Sequence, residues 1–257
     1  MRIWPIFKKE MRLYFTSAVA YVILAIFLVV MGWFFSQIFL YYAQASMRAA
    51  MAPQMSQDLN VTDGIFRPLF SNFAVILLLA LMPLLTMRVF AEERSSGTIQ
   101  LLLTYPVRDG AVLIGKYLAA LAFYGILLSL TLLYPLMVFY MARLEWGPLL
   151  TAYVGLLLMG SAFLAVGVFA SSLTENQIVA AVTTFGILLM FWVIGWGGDA
   201  AGGAWWGKVL THLSIVDHFE SFSKGVFETK DVIYYVDFTL IALFLTLRSL
   251  EARRWKG

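Results

Sequence analysis

Apolar residues gather in six long runs along this chain, at residues 18–42, 66–90, 111–140, 148–172, 178–196 and 232–250. Each reaches or approaches the roughly 20 residues needed to cross the hydrocarbon core of a bilayer. Lipid offers an open backbone no hydrogen-bond partner, so the runs predict membrane-spanning helices. Pro83 and Pro135 predict bends in the second and third runs. Residues 1–16 follow another pattern. Trp4, Phe7, Met11, Tyr14 and Phe15 recur near helical spacing, with Arg2, Lys8, Lys9 and Arg12 supplying charge. That predicts a helix lying in the interface, its apolar face in the lipid boundary and its cations toward anionic head groups. The expected fold class is an all-α integral membrane protein.

Polar positions are shared unevenly among the connections. Residues 43–65 read as an ordinary loop. Ala43-Gln44-Ala45 imitates a signal-peptidase site there, but the preceding run is too long for a signal core, so a retained helix is expected. The interval around residues 90–119 holds Arg88, Glu92, Glu93, Arg94, Arg108, Asp109 and Lys116. Between these charges lies a short amphipathic block, residues 95–105, with Leu101, Leu102 and Leu103 as its apolar part and Pro106 closing it. A helix of that size between two spans would lie on the membrane surface and meet something in the water. Residues 199–231 open with glycines and continue with Trp205, Trp206, His212, Phe219, Phe222 and Phe227 among scattered charges. They are too polar to span, and their aromatics suit the interface. One or two short helices dipping into the outer leaflet are expected, their ends covered by protein or a water-filled cavity.

Composition fits this class. Of 257 residues, 61% are hydrophobic and 13% charged, against about 25% charge in a soluble domain. The absence of cysteine excludes disulfides, cysteine–zinc sites and thiol nucleophiles. A net charge of +3 without a dense basic face argues against nucleic acid as a partner. The loops divide the 18 Lys and Arg unevenly. Twelve fall in the set formed by the two chain ends and the connections after spans two and four, and six in the other set. The positive-inside rule then places both termini and the 90–119 interval in the cytoplasm.

Several motifs come close to known chemistry. Gly110 to Tyr117 nearly matches the phosphate loop GxxxxGK[ST], but Tyr117 replaces the magnesium-binding hydroxyl and the intervening residues are apolar. Ser221-Phe222-Ser223-Lys224 matches the SxxK of serine acyl enzymes without their companion motifs. Asp217, His218 and Glu220 with His212 lack the spaced ligand set of a metal site, so neither a metal nor catalysis is assigned. The spans read as nearly free of ions, with Asp237 near a membrane end, which argues against a proton- or sodium-coupled carrier. Small-xxx-small pairs (Gly115/Ala119 and Gly125/Ser129 in span three, Ser161/Ala165 and Gly167/Ser171 in span four) allow close helix contact.

The interval FAEERSSGTIQLLLTYPVRDGAVLIGKYLAAL, with its order of acidic pair, SGT, apolar block, Pro-Val and GK, resembles the junction of spans two and three in ABC-2 permeases of ABC transporters. FASSLTENQIVAA at 169–181 and VDHFESFSKGVFETKDVIYY at 216–235 resemble the gliding-motility-type (GldF-like) permeases and, more distantly, the copper-processing NosY-type. The resemblance covers nearly the whole chain. It implies a six-helix bundle with an N-terminal interfacial helix, in which Trp4, Phe7, Lys8, Lys9 and Arg12 face lipid and head groups. It implies a cytoplasmic coupling helix over 92–106, in which Glu92, Glu93, Arg94, Gly97, Thr98, Leu101, Leu102, Leu103 and Pro106 meet an ATPase. It implies re-entrant outer helices carrying Asp217, His218, Phe219, Phe222, Lys224 and Gly225. The implied partners are two copies of an ABC ATPase, a second permease copy or a paralogue, membrane lipid, and a periplasmic accessory protein. The implied location is the bacterial inner membrane. The chain would bind no cofactor, and ATP and Mg would sit on the ATPase. The implied function is permease subunit of an ATP-driven transporter of unnamed substrate. The alternative is a membrane transducer that uses the ATPase to act on a periplasmic protein.

Overall fold

The computed structural model describes residues 3–51, 60–97, 108–142, 144–200 and 205–254, and among them every regular element is a helix. α1 (Ile3–Thr16) leads into α2 (Ala18–Met51). The second span opens with two wide π-helical stretches, Thr62–Phe66 and Leu69–Ala74, and continues as α3 (Val75–Thr86) and α4 (Arg88–Ser95). Then come α5 (Asp109–Thr131), α6 (Leu133–Phe139), α7 (Trp146–Leu173) and α8 (Gln177–Ala200). Two short helices, α9 (Trp205–Leu213) and α10 (Asp217–Ser223), precede α11 (Thr229–Arg254). Among the described residues, six stretches are long and apolar enough to cross a membrane.

The helices outrun the apolar runs. α2 continues to Met51, so much of the expected 43–65 loop is helix: Ala43, Gln44 and Ala45 are polar or small but good helix formers. Asn60 lies beyond that helix, and its Oδ1 accepts the Thr62 N–H at 2.9 Å at the start of the next span. The expected bends have identifiable causes. Pro135 has no N–H for the Thr131 carbonyl, and the third span breaks at Leu132. The second span lapses at Met87, one turn beyond Pro83.

α7 is the hub. In its most apolar window 72% of residues are buried, against 22% for α2 and 17% for α11. Its small residues make this possible. A Cβ on Gly160 would collide with Tyr124 of α5, and one on Gly167 with Thr86 of α3. One on Gly155 would lie 2.6 Å from Cβ of Phe222 of α10. Tyr124 uses the space to donate its hydroxyl to the Leu156 carbonyl at 2.6 Å. Ser171, one turn beyond Gly167, reaches the break in the second span. Its Oγ accepts the N–H groups of Phe90 at 3.0 Å and Ala91 at 3.1 Å and donates to the Met87 carbonyl at 3.0 Å. These are among the N–H groups that open α4 and have no partner within it, so α7 caps α4 from outside.

Candidate functional site

At the end of the bundle where α1 lies, three elements converge on one ammonium group. Lys116 is on α5, two turns from its start, and is buried. Its Nζ lies 3.0 Å from Oε1 of Glu10 on α1 and 2.9 Å from Oε1 of Glu93 on α4, and it donates to the Val89 carbonyl at 2.8 Å. All three ammonium protons thus have acceptors, and the Phe90 ring lies 5.4 Å away, within cation–π range. Lys9 adds a fourth charge at the mouth, 3.4 Å from Glu93 and 3.7 Å from Glu10. Two ammonium groups thus balance two carboxylates. α1 reaches this point because its buried face is Ile6, Glu10 and Tyr14, four residues apart. Gly115 leaves room for it: a Cβ there would lie 2.9 Å from Cγ2 of Ile6. Tyr14 stacks on Phe123 at 5.1 Å and donates to the Leu85 carbonyl at 3.3 Å. Burial, and secondly the Glu10 charge, raises its phenol pKa, so the hydroxyl stays a neutral donor.

Beside this joint a cavity of about 800 Å³ opens between α1, the start of α2 and the α3–α4 junction. Leu13, Val19, Ile23, Leu84 and Leu85 line its apolar part, and Lys9, Arg88 and Glu92 its polar part. At the other end of the bundle, α9 packs along α8, and α10 packs over α7 and the start of α11. His218 Nδ1 lies 2.7 Å from Asp231 of α11, its Nε2 lies 3.1 Å from the His212 carbonyl, and its ring stacks on Tyr234 at 3.9 Å. Phe219 and Phe222 are buried against α7, and Thr151 donates to the Phe222 carbonyl at 3.0 Å. Lys224 pairs with Glu220 at 2.6 Å. Gly225 holds φ +83°, and a Cβ there would lie 2.8 Å from Pro148. No group of three His, Cys, Asp or Glu able to hold a metal occurs among the described residues.

The profile of the ABC-2 family transporter proteins matches residues 4–247. The chain belongs to that family. Among curated proteins none matches. The permease is therefore a multi-pass membrane protein and a transmembrane transporter subunit, the membrane component of a system whose ATPase is a separate partner.

The sequence-derived coupling residues of the permease part company in three dimensions. Glu92, Glu93 and Arg94 are not on a separate surface helix. They form the last turns of α4, which ends at Ser95, and Gly97 with φ +70° turns the chain away. Successive residues on a helix point about 100° apart. Glu92 is accordingly exposed, Glu93 turns inward to Lys116, and Arg94 is buried. Of the rest of the expected 92–106 coupling helix, Thr98, Leu101, Leu102, Leu103 and Pro106 lie outside the described residues. On α1, Trp4, Lys8, Lys9 and Arg12 are exposed and Phe7 is half-buried, stacked on Trp4 at 5.3 Å; Tyr14, expected in lipid, instead packs inward. The expectation of spans nearly free of ions fails at Lys116. Its signal was present: a lysine five residues inside an apolar run, and a lone Glu10 four residues from both Ile6 and Tyr14.

Proposed function

We propose that this permease passes ATP-driven motion into the membrane through the Glu10–Lys116–Glu93 joint. An ABC ATPase dimer on the cytoplasmic side, carrying ATP and Mg, would engage the 92–106 segment. Displacement of α4 would then reach α5 and α1 together, because one ammonium group ties all three. The observation that carries this reading is Lys116 Nζ at 2.9 Å from Glu93 and 3.0 Å from Glu10. A partly buried ion cluster suits such a role because it has few alternative arrangements and transmits displacement rather than absorbing it. Two permease chains, identical or paralogous, would enclose the pathway, with both termini cytoplasmic in an inner membrane. The motifs at 169–181 and 216–235 favour the gliding-motility-type branch and leave the substrate unnamed.

The test is reconstitution of the permease with its ATPase in lipid, comparing the native chain with the triple variant Glu10→Gln, Lys116→Met, Glu93→Gln. Neutralising all the tied charges together preserves packing with little net cost. The variant is expected to keep the ATPase bound and ATP hydrolysis within about twofold, while the dependence of hydrolysis on the permease falls about tenfold. Undiminished coupling in a folded triple variant would remove the joint from the mechanism.

A further inference from the structure

The cavity beside the joint differs from its surroundings in a way that names an occupant. Its wall runs from Ser17 at the start of α2 to Ile23, about 9 Å farther along the helix. It therefore reaches from the interface into the hydrocarbon, the depth of a phospholipid's head group and upper acyl chain. Leu13 and Leu84, on opposite walls, are 50% and 40% exposed, so the cavity offers apolar surface to a chain entering sideways. At its polar end Lys9, Glu10, Glu93 and Lys116 pair with one another. Two charges are left over. Arg88 reaches no carboxylate among the described residues; its guanidinium lies 3.4 Å from Ser17 Oγ, with the Thr16 hydroxyl also lining the cavity. Glu92, one helical turn along α4, makes no ion pair among the described residues. Residues at i and i+4 on a helix are neighbours, so cation and anion stand side by side on the cavity wall, and no ion pair forms between them among the described residues.

We infer that this cavity is a binding site for a zwitterionic aminophospholipid. The phosphodiester lies on the Arg88 guanidinium and the Ser17 hydroxyl, the primary ammonium on the Glu92 carboxylate, and an acyl chain along Val19, Ile23 and Leu84. An anionic lipid would meet Arg88 but leave Glu92 repelled. A quaternary choline would bring positive charge to Glu92 without an N–H to donate. This inference rests on the membrane position of the bundle and not on the coupling proposal.

The experiment is native mass spectrometry of the full chain in detergent, titrated in turn with phosphatidylethanolamine, phosphatidylcholine and phosphatidylglycerol. Glycerophosphoethanolamine serves as the soluble head-group competitor. One tightly held phosphatidylethanolamine per chain is expected, favoured about tenfold over the other two lipids, as one charge-assisted hydrogen bond allows. Glu92→Gln, at an exposed position that leaves folding intact, should abolish that preference. Arg88→Gln should lower retention of all three lipids by about tenfold, and Val19→Phe, which fills the apolar part, should do the same. Equal retention of the three lipids by every variant would mean ordinary boundary lipid and overturn the site. A preference for phosphatidylglycerol indifferent to Glu92→Gln would overturn the zwitterionic assignment. Retention of glycerophosphoethanolamine as tightly as phosphatidylethanolamine would show head-group binding without a lipid and overturn the lipid assignment. A disulfide between two Val19→Cys chains in membranes would show that a second copy fills the cavity instead.

Discussion

Lys116 shows what one side chain can decide. Its ammonium is buried among acceptors from three elements, so truncation leaves Glu10 and Glu93 facing each other inside the protein. Lys116→Ala is expected to lower unfolding stability by about 3–5 kcal/mol, read as a large drop in the thermal midpoint in detergent. The triple variant that also neutralises both carboxylates should recover most of that loss. If Lys116→Ala leaves the midpoint unchanged, the cluster is solvated and not buried. The sequence held the position of Lys116, inside an apolar run, but not the meaning. A lysine near a span's end also reads as a flank that reaches water, and only the approach of α1, permitted at Gly115, closes that route. Arg94 shows the converse: a charge in the most polar interval of the chain that is buried, because α4 turns it away from the exposed side held by Glu92.

Among elements, the number and order of the spans were legible because periodicity and length follow from the bilayer itself. Their ends were less so. Ala43 to Met51 is too polar to register as a span, yet nothing in it stops a helix, and α2 runs on. The small-residue pairs were legible only as candidates. Gly167 and Ser171 meet α3 and α4, and Gly115 meets α1, while a Cβ on Gly125 would touch nothing within 4 Å. Spacing marks where helices can approach, and the partner's shape decides where they do. Gly160 is the most constrained case, set against the Tyr124 ring. Gly160→Ala is expected to cost about 1–3 kcal/mol in unfolding stability by overpacking. It should also displace the Tyr124 hydroxyl from the Leu156 carbonyl. In a Tyr124→Ala background the cost of Gly160→Ala should shrink if the clash is the cause, and chemical unfolding in mixed micelles would read both.

For the whole molecule, polarity across the membrane is the property most open to direct test, because the native chain has no cysteine to confuse labelling. Ser96 and Lys224 are both exposed, at opposite ends of the bundle. Ser96→Cys is expected to react with an impermeant maleimide only from the cytoplasmic side, and Lys224→Cys only from the other. Labelling of both from one side would refute the arrangement of six spans. The Ser171 hydroxyl carries a different consequence, one of timing. It caps α4 across 81 positions of sequence. During synthesis the second span therefore enters the membrane with the Phe90 and Ala91 N–H groups lacking the acceptor that Ser171 supplies, until the fourth span arrives. The start of α4 is thus finished late. The cap that holds it arrives only when the bundle has closed.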